Sequence, residues 1–247
     1  MKHLSRKEIE AIAARVVTAY KKLPELEGQP IYRIEPELLI RNLLGLNIEY
    51  HHLSLNGSVL GVTSPAENVG VRIYDNTDQE EFFFFDGKTV LVERDLKEDI
   101  SQKGRCNFTS VHEASHQIFK MLYPKEYGYK PNGQNLHFYT NKSECRKPIE
   151  NWEEWQTNVL TSAVLLPDDL VGKAMQLFDL GDKIKTLNRV YCSYIYDRFC
   201  DVAAFLGVSK TALAIRMKQL GRLEHDYLDN PYTLIDANYE EVTKCQK

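Results

Sequence analysis

The chain has 247 residues and lacks several features that would define its class. Its five cysteines are odd in number and include no CxxC pair, which argues against a disulfide framework and favours a reducing compartment. No run of apolar residues approaches the length of a membrane span. The first residues include Lys2, Arg6 and Lys7 but no apolar segment typical of a signal peptide. We therefore expect a cytoplasmic protein that has no membrane partner.

The chain also lacks an excess of positive charge. Its 31 Lys and Arg residues are outnumbered by 35 Asp and Glu residues, and the net charge is −4 at pH 7. A chain with this balance has no general attraction to nucleic acid, so DNA is a disfavoured partner. Hydrophobic residues make up 43% of the chain, which is enough for a substantial core in one large or two small domains. The composition leaves the oligomeric state open.

The most informative motif is His112-Glu113-Ala-Ser-His116, an HExxH string. Residues four apart on a helix lie on the same face, so His112 and His116 are predicted to direct two imidazoles to one metal ion. Glu113 lies beside that face, where it can take a proton from a metal-bound water. Two neutral nitrogen ligands, a carboxylate base and an open coordination position are the parts that zinc hydrolases use. The alternative is that two ordinary histidines lie on an ordinary helix.

The residues around this motif predict a helix. Asn107 is a candidate N-cap, and Pro124 ends the pattern because the residue before a proline avoids the helical region. Apolar or small residues recur between them at helical spacing: Phe108, Val111, Ser115, Ile118, Phe119 and Leu122. Cys106 lies one turn too early on the helix to share the face that carries the two histidines, so we interpret it as a core residue.

A third metal ligand is predicted in residues 150–167. Asn151 and Glu154 resemble a capping box at the start of a second helix, which Pro167 ends. Glu154 is the favoured third ligand for zinc, and Asn158, one turn later, is placed to form a hydrogen bond with a ligating imidazole. Glu153 points about a hundred degrees away from Glu154 on a helix, so both cannot bind one metal. The competing ligands are Glu150 and Glu153, and the alternative role for Glu154 is to favour the helix N-terminus through the dipole.

These two segments resemble the ImmA/IrrE family of zinc metallopeptidases, which are gluzincin-like. Members typically carry F-T-x-x-H-E-x-x-H, which here begins at Phe108 and Thr109, and then a helix like E-x-Q-A-N-x-F-A-A-x-L-L-M-P. The second phrase here runs from Glu154 through Gln156 and Asn158 to Pro167. The resemblance implies that the third ligand is Glu154. It departs from the family where Thr157, Thr161 and Ser162 replace the usual alanines.

Five segments before the HExxH helix are predicted to be strands, at residues 48–52, 59–63, 69–74, 81–85 and 89–92. Asp86-Gly87 predicts a hairpin turn between the last two. In zincins an edge strand near the metal holds an extended peptide, and we expect residues 89–92 or a neighbouring strand to do so here. His51 and His52 alternate across a strand, and we interpret both as surface or core residues rather than ligands.

Residues 124–150 are predicted to form a loop between the two metal helices, with a short strand at 136–140. Such a loop can complete an active site, and His137, Tyr127, Tyr129 and Tyr139 are candidates to stabilise an oxyanion. Their spacing selects none of the four, and an ordinary exposed role is favoured for each.

The C-terminal third is predicted to be helical. Residues 201–206, the turn Gly207-Val208, the N-cap Ser209 and residues 210–220 resemble a helix-turn-helix. The second helix carries basic residues, namely Lys210, Arg216, Lys218 and, just after it, Arg222. Because the flanking residues are acidic, we favour a packed helical hairpin with a solvated basic face over a DNA-binding element.

The predicted fold class is α+β: a zincin-like metallopeptidase with a twisted, mostly antiparallel sheet and two metal-bearing helices, followed by a small helix-turn-helix-like region. The predicted domains are 1–180, 181–227 and a tail at 228–247. The predicted function is zinc-dependent hydrolysis of a peptide bond in a specific protein, and the family resemblance implies a helix-turn-helix transcriptional repressor as the substrate. The alternatives are a zinc-bearing module that binds a partner without cutting it, and a DNA-binding regulator. Lys210, Arg216 and Lys218 are candidate contacts for the partner.

Overall fold

The computed structural model describes residues 2–128, 135–140 and 152–232, and the fold is mixed α+β, as predicted. Glu150, Asn151 and Tyr129 lie outside the described residues, as does 233–247 of the predicted tail. The chain forms two compact units, Met1–Pro167 and Asp168–Lys247. A domain boundary after residue 180 would place residues 168–177 in the first domain, whereas the structure places them in the second unit. In the described ranges, no helix combines the length and the apolar character needed to cross a membrane.

The α-helices of the described residues are α1 (Arg6–Tyr20), α2 (Pro36–Leu38), α3 (Arg94–Glu98), α4 (Lys103–Leu122), α5 (Pro124–Tyr127), α6 (Trp152–Leu165), α7 (Asp168–Leu177), α8 (Ser193–Leu206) and α9 (Lys210–Gln219). A π-helical segment, Leu39–Leu43, continues α2, and short 3₁₀ turns occur at Pro24–Leu26 and Ile100–Gln102. The strands are β1 (Asn47–His51), β2 (Val59–Thr63), β3 (Glu67–Tyr74), β4 (Glu80–Asp86), β5 (Thr89–Glu93), β6 (His137–Thr140), β7 (Ile184–Leu187) and β8 (Leu223–Asp226).

The main sheet contains four strands in the described part of the chain, in the order β1-β5-β2-β6. β5 pairs in parallel with β1, whereas β2 pairs antiparallel with both β5 and β6. All five residues of β5 are buried, because β5 is covered on both faces and on both edges. Residues 89–92 therefore do not form an edge strand, which leaves the other expectation, a neighbouring strand; the strand at the end of the sheet beside the HExxH helix is β6.

β3 and β4 form a separate two-stranded hairpin. The prediction that Asp86-Gly87 is a hairpin turn between the last two strands was also wrong. Gly87 does adopt a left-handed conformation, with φ of 72°, but the turn leads from β4 of one sheet to β5 of the other. A dipeptide fixes only the local bend, whereas strand pairing is decided by which side chains can be buried together.

The two faces of the main sheet are covered by different layers. On one face, Leu60, Val90 and Val92 pack with Cys106 and Ala114 of α4, so the interpretation of Cys106 as a core residue is confirmed. The other face packs against the β3–β4 hairpin through a cluster of buried side chains: Leu53, Val62, Val71, Ile73, Phe85 and Leu91. The sheet therefore supports α4, the helix that carries the HExxH motif.

The N-terminal residues are held against α6. Ser5 and Glu8 form the predicted capping box of α1, which packs on α6. Just before the box, the backbone N–H of Leu4 donates to Gln156 Oε1 at 2.6 Å. The amide nitrogen of Gln156 donates in turn to the Tyr127 hydroxyl at 2.9 Å. The N-terminal residues of the first unit thus contact α6 at Gln156, two residues after Glu154.

The second unit is built from α7, α8 and α9 with a parallel pair of strands, β7 and β8. Gly207 adopts a left-handed conformation at the end of α8, and Ser209 caps α9 by accepting from the Ala212 N–H at 3.1 Å. These are the predicted turn and N-cap. Arg222 closes the unit by donating to Asp168 Oδ1 at 2.6 Å.

Candidate metal centre

His112, His116 and Glu154 come together at the contact between α4 and α6. His112 Nε2 lies 3.2 Å from Glu154 Oε2, and His116 Nε2 lies 3.3 Å from Glu154 Oε1. The potential ligand atoms of the three residues all lie within 4.8 Å of one another. The two imidazole planes are inclined at 77°, and both Nε2 atoms face the Glu154 carboxylate. The three side chains therefore form a grouping that could hold a metal ion.

The separations in this grouping match the requirements of a small tetrahedral ion. Zinc binds imidazole nitrogen and carboxylate oxygen at about 2.1 Å, which places neighbouring ligand atoms of a tetrahedron about 3.4 Å apart. The two His–Glu distances of 3.2 and 3.3 Å, one to each oxygen of the Glu154 carboxylate, are close to that edge length. The three ligands would occupy one face of the tetrahedron and leave the fourth position to water or substrate.

His112 is fully buried and has two ring nitrogens without a hydrogen-bond partner among the described residues. The Glu154 carboxylate lies at ion-pair distance but outside hydrogen-bond alignment. Burial lowers the pKa of His112, and the nearby His116 lowers it further, while Glu154 and Asn158 act in the opposite direction. A neutral, unsatisfied imidazole is the form that binds a metal, so the chemistry of this side chain fits a metal ligand.

Glu154 is ionised in this environment. Burial alone would raise the pKa of its carboxyl group, but the imidazoles of His112 and His116 outweigh burial and hold that pKa far below its usual range. Asn158 lies beside the cluster and lines the cavity that opens onto Glu154. It also raises the pKa of His112, but no hydrogen bond joins Asn158 to either nitrogen of that ring, so the predicted hydrogen bond is not formed here.

Glu113 is completely buried, and neither of its carboxylate oxygens has a hydrogen-bond partner among the described residues. Burial raises the pKa of Glu113 well above its usual value, and the negative charge of Glu154 adds to the rise. The backbone amide of Tyr139 opposes the shift weakly without reaching hydrogen-bond geometry. A desolvated carboxylate beside a candidate metal ligand has the raised basicity that a general base needs.

Gly61 of β2 packs directly against the side chain of Glu113. A Cβ atom at this position would lie 2.8 Å from Glu113 Oε1 and 2.7 Å from Thr109 Cγ2. Both distances are shorter than a van der Waals contact, so only glycine lets the strand approach this closely. The pairing register between β2 and β6 also shifts between Val59 and Gly61. The sequence pattern did not single out Gly61, because the contact joins residues that are far apart in the chain.

Glu153 was predicted to point away from Glu154, and it does, but it reaches the other side of the same imidazole. Its Oε1 atom lies 3.8 Å from His116 Nδ1 and 3.4 Å from His137 Nδ1. His116, His137 and Glu153 could also be considered as a metal grouping. However, the two rings are stacked at 23° and 4.3 Å, so their in-plane lone pairs run side by side and do not converge. We interpret Glu153 as a negative charge shared between the two imidazoles.

Strand β6 contributes Tyr139 to the centre. The Tyr139 ring lies 4.2 Å from the His112 ring, and burial raises the pKa of its hydroxyl. A cavity of about 350 Å³ adjoins the cluster and is lined by Leu60, Arg105, Phe138, Tyr139, Thr140, Glu154 and Asn158. Of the candidates for an oxyanion-stabilising group, Tyr139 lines this cavity. Tyr127 instead donates to the backbone carbonyl of Lys2 at 2.9 Å and has a structural role.

A further grouping, His52 with Glu93 and Asp95, lies at the end of β5. Glu93 accepts from the Leu53 backbone N–H at 2.8 Å and contacts His52 Nδ1 at 2.9 Å. It also caps α3. These contacts give Glu93 a full structural role, in line with the interpretation of His52 as a residue other than a catalytic ligand.

The start of α4 differs from the prediction. The helix begins at Lys103, so Asn107 lies inside it and is not its N-cap. The 3₁₀ turn Ile100–Gln102 leads directly into the helix and makes a separate cap at Asn107 unnecessary. The motif lies near the middle of a twenty-residue helix, where its backbone is held on both sides.

The candidate partner contacts in the second unit are not equivalent. Arg216 is 2% exposed and cannot reach a partner, so its prediction as a contact was wrong. It falls on the packed side of α9, beside Leu213 and Met217, because helical spacing places it there. Lys218 is paired with Asp226 at 2.5 Å, and Lys210 lies 3.4 Å from the Tyr196 hydroxyl.

No model of a known protein family matches this chain, and no curated protein sequence matches it either.

Proposed function

We propose that this chain is a zinc-dependent endopeptidase of the zincin type. The observation that carries the proposal is the grouping of His112, His116 and Glu154, with His–Glu separations near the edge length of a zinc tetrahedron and the buried carboxylate of Glu113 beside them. The donor set of two imidazoles and one carboxylate fits zinc, and the unsatisfied nitrogens of His112 are atoms that a metal would satisfy.

Zinc, when bound by His112, His116 and Glu154, supplies a Lewis acid and a water of lowered pKa. Glu113 is not among the ligands, and its role is to accept the proton of the attacking water and to return it to the leaving amine nitrogen. Its burial strengthens its basicity, as argued above from its pKa. Asn158 beside the His112 ring and Glu153 beside His116 Nδ1 are placed to orient the two imidazoles when a metal is bound.

Glu113 also separates this proposal from a purely structural zinc module. A structural site is closed by four protein ligands and needs no base. Here the Glu113 carboxylate has no hydrogen-bond partner among the described residues and is buried next to a grouping of three candidate ligands. The burial of such a group lowers the stability of the fold. A cost of this kind is expected at a catalytic site, where it serves the reaction.

We further propose that the substrate is a specific protein, and that it is a helix-turn-helix repressor. This part rests on the resemblance of the two metal-bearing segments to ImmA/IrrE peptidases. The buried base supports narrow specificity, since a fully covered Glu113 is not available to any passing unfolded chain.

The test compares wild-type protein with Glu113→Gln in cells that also express a candidate repressor. Gln keeps the size of the side chain but cannot accept the proton, so zinc content should be equal and activity should fall by about a hundredfold or more. New protein N-termini, identified by chemical labelling and mass spectrometry, should occur with wild type and be missing with Glu113→Gln. Glu98→Gln, at an exposed position on α3, is the matched control and should behave as wild type. The same N-termini with both zinc-loaded proteins would overturn the proposal.

A further inference from the structure

β6 lies at the end of the main sheet and covers the candidate metal centre. Its residues pair antiparallel with β2, so that Thr63 opposes His137, Val62 opposes Phe138 and Gly61 opposes Tyr139. Within the described residues, no further strand pairs with the outer side of β6. β6 is short, with four residues, and few hydrogen bonds hold so short a strand in place.

The alternation of side chains directs two residues of β6 onto the two candidate ligands on α4. The His137 ring stacks on His116 at 4.3 Å, and the Tyr139 ring lies 4.2 Å from His112. Phe138, between them, points to the other face and is exposed. One short segment therefore covers both imidazoles at once.

This cover closes the HExxH side of the centre to a polypeptide, whereas Glu154 faces the adjoining cavity. Glu113 and His112 have no exposed surface, and His116 is 5% exposed. A scissile carbonyl must come within about 3.5 Å of the attacking water, which in turn must touch the base. The backbone of Tyr139 already lies beside the Glu113 carboxylate. An extended substrate and β6 would thus compete for the same space next to Glu113.

We propose that β2 is the strand that binds an extended substrate peptide, and that β6 is an internal segment that occupies this position until the substrate displaces it. The inference rests on the proposed function. β6 lies antiparallel to β2, as a peptide added to a sheet edge can do, and its side chains contact the groups that a substrate would meet. If β6 leaves, the backbone groups of β2 that now pair with β6 become free to pair with the substrate.

The opposite arrangement is that the peptide adds to the outer edge of β6, which then stays in place. The two arrangements differ in whether β6 must separate from β2. A disulfide between the opposed pair Val62 and Phe138 prevents that separation. Opposed Cβ atoms of an antiparallel pair are about 4.5–5.5 Å apart, near the range that a disulfide accepts. Val62 belongs to the cluster between the sheet and the β3–β4 hairpin, and Phe138 lies on the same face because His137 and Tyr139 on either side of it face α4.

The experiment uses the full chain loaded with zinc, carrying Val62→Cys and Phe138→Cys, in its oxidised and reduced forms. Two probes are used: acetohydroxamate, a small zinc ligand, and an extended hexapeptide that ends in a hydroxamate. Binding of each is measured by calorimetry, and peptide mapping verifies the cross-link. The matched control is a disulfide between Arg72→Cys and Phe82→Cys, an exposed opposed pair of the β3–β4 hairpin that need not move.

The oxidised Val62/Phe138 form should bind the peptide hydroxamate at least about tenfold more weakly than its reduced form, because the cross-link removes the open population. Both forms should bind acetohydroxamate equally, and the hairpin control should show no redox effect. In wild type, the peptide probe should speed amide hydrogen exchange in β6 but not in β2.

Equal affinity for the peptide in the oxidised and reduced forms, or preserved protection of β6 with the peptide bound, would overturn the displacement of β6. Failure of the zinc-loaded wild type to bind acetohydroxamate would instead overturn the proposed function, and the displacement of β6 with it. The two failures are therefore distinguishable.

Discussion

The Nδ1 atom of His116 lies 3.8 Å from Oε1 of Glu153, on the opposite side of the ring from Glu154. Consecutive carboxylates of α6 thus face the two nitrogens of one imidazole. A separation of 3.8 Å is an ion-pair distance and is longer than a hydrogen bond. A carboxylate in this place favours the proton on Nδ1 and leaves the Nε2 lone pair for a metal.

Removal of the negative charge at Glu153 should weaken zinc binding without emptying the site. We expect Glu153→Gln to lower zinc affinity by about tenfold, the lower end of the effect of such orienting partners. The measurement is competition with a chromogenic chelator at constant pH. Glu154→Gln, the matched change at the neighbouring residue, should lose far more affinity because it removes a ligand. Equal losses in the two variants would contradict these separate roles.

The metal content tests the candidate ligands directly. Wild type should carry about one zinc per chain, and His112→Ala or His116→Ala should leave the site empty, since two remaining ligands hold zinc poorly. Elemental analysis of the purified, dialysed proteins measures this. His52→Ala changes a histidine of a separate grouping and should retain full zinc. Full occupancy in both ligand variants would rule out the assignment.

The stability of the metal-free protein should depend on pH through Glu113. Burial raises the pKa of Glu113 above the ordinary value of 4.5. Its contribution to stability is therefore complete below pH 4.5 and is lost as the pH rises towards the pKa of the folded state. Glu113→Gln removes this loss. The free energy of unfolding of the variant should therefore rise relative to that of wild type by up to about 1.4 kcal/mol for each pH unit above the pKa of Glu113 in the unfolded chain.

Urea unfolding in the presence of a chelator, at a series of pH values, measures that difference. The two curves of unfolding free energy against pH should converge at low pH and separate as the pH rises. Curves that stay parallel across the series would show that Glu113 is solvated, contrary to its buried position.

A methyl group at Gly61 should disturb the base without touching the ligands. We expect Gly61→Ala to keep zinc but to cost about 1–3 kcal/mol of stability and to impair hydrolysis, because its Cβ would overlap with Glu113 and Thr109. Thermal unfolding, zinc content and cleavage assays give the three readouts. Thr109→Ser removes one of the atoms in the overlap, so the double variant should recover part of the stability. No recovery would place the strain elsewhere.

The sequence predicted those features that depend on neighbouring residues. The Ser5–Glu8 capping box, the end of α4 before Pro124 and the bounds of β2 follow from local chemistry, and the structure confirms them. The proximity of His112 and His116 has the same origin, because helical periodicity alone brings them together.

The sequence failed where distant segments meet. Asp86-Gly87 predicts a bend, but it does not predict that the bend joins two different sheets. The sequence of β5 predicts a strand, but it does not predict that this strand lies inside the sheet. The contacts of Glu153 with His116 and of Gly61 with Glu113 are tertiary, and no periodic pattern encodes them. Helical geometry gave the direction of Glu153 correctly, yet not what it would meet there.

The hydrogen bond between Leu4 and Gln156 spans 152 residues and has a consequence for synthesis on the ribosome. Since α1 and the residues before it pack on α6, the early part of the chain must wait until Gln156 has emerged from the exit tunnel. Glu154 arrives in the same interval, whereas both histidines have emerged long before. Zinc loading should therefore be a late step of biogenesis, and a nascent chain arrested before residue 154 should hold only a loosely attached ion.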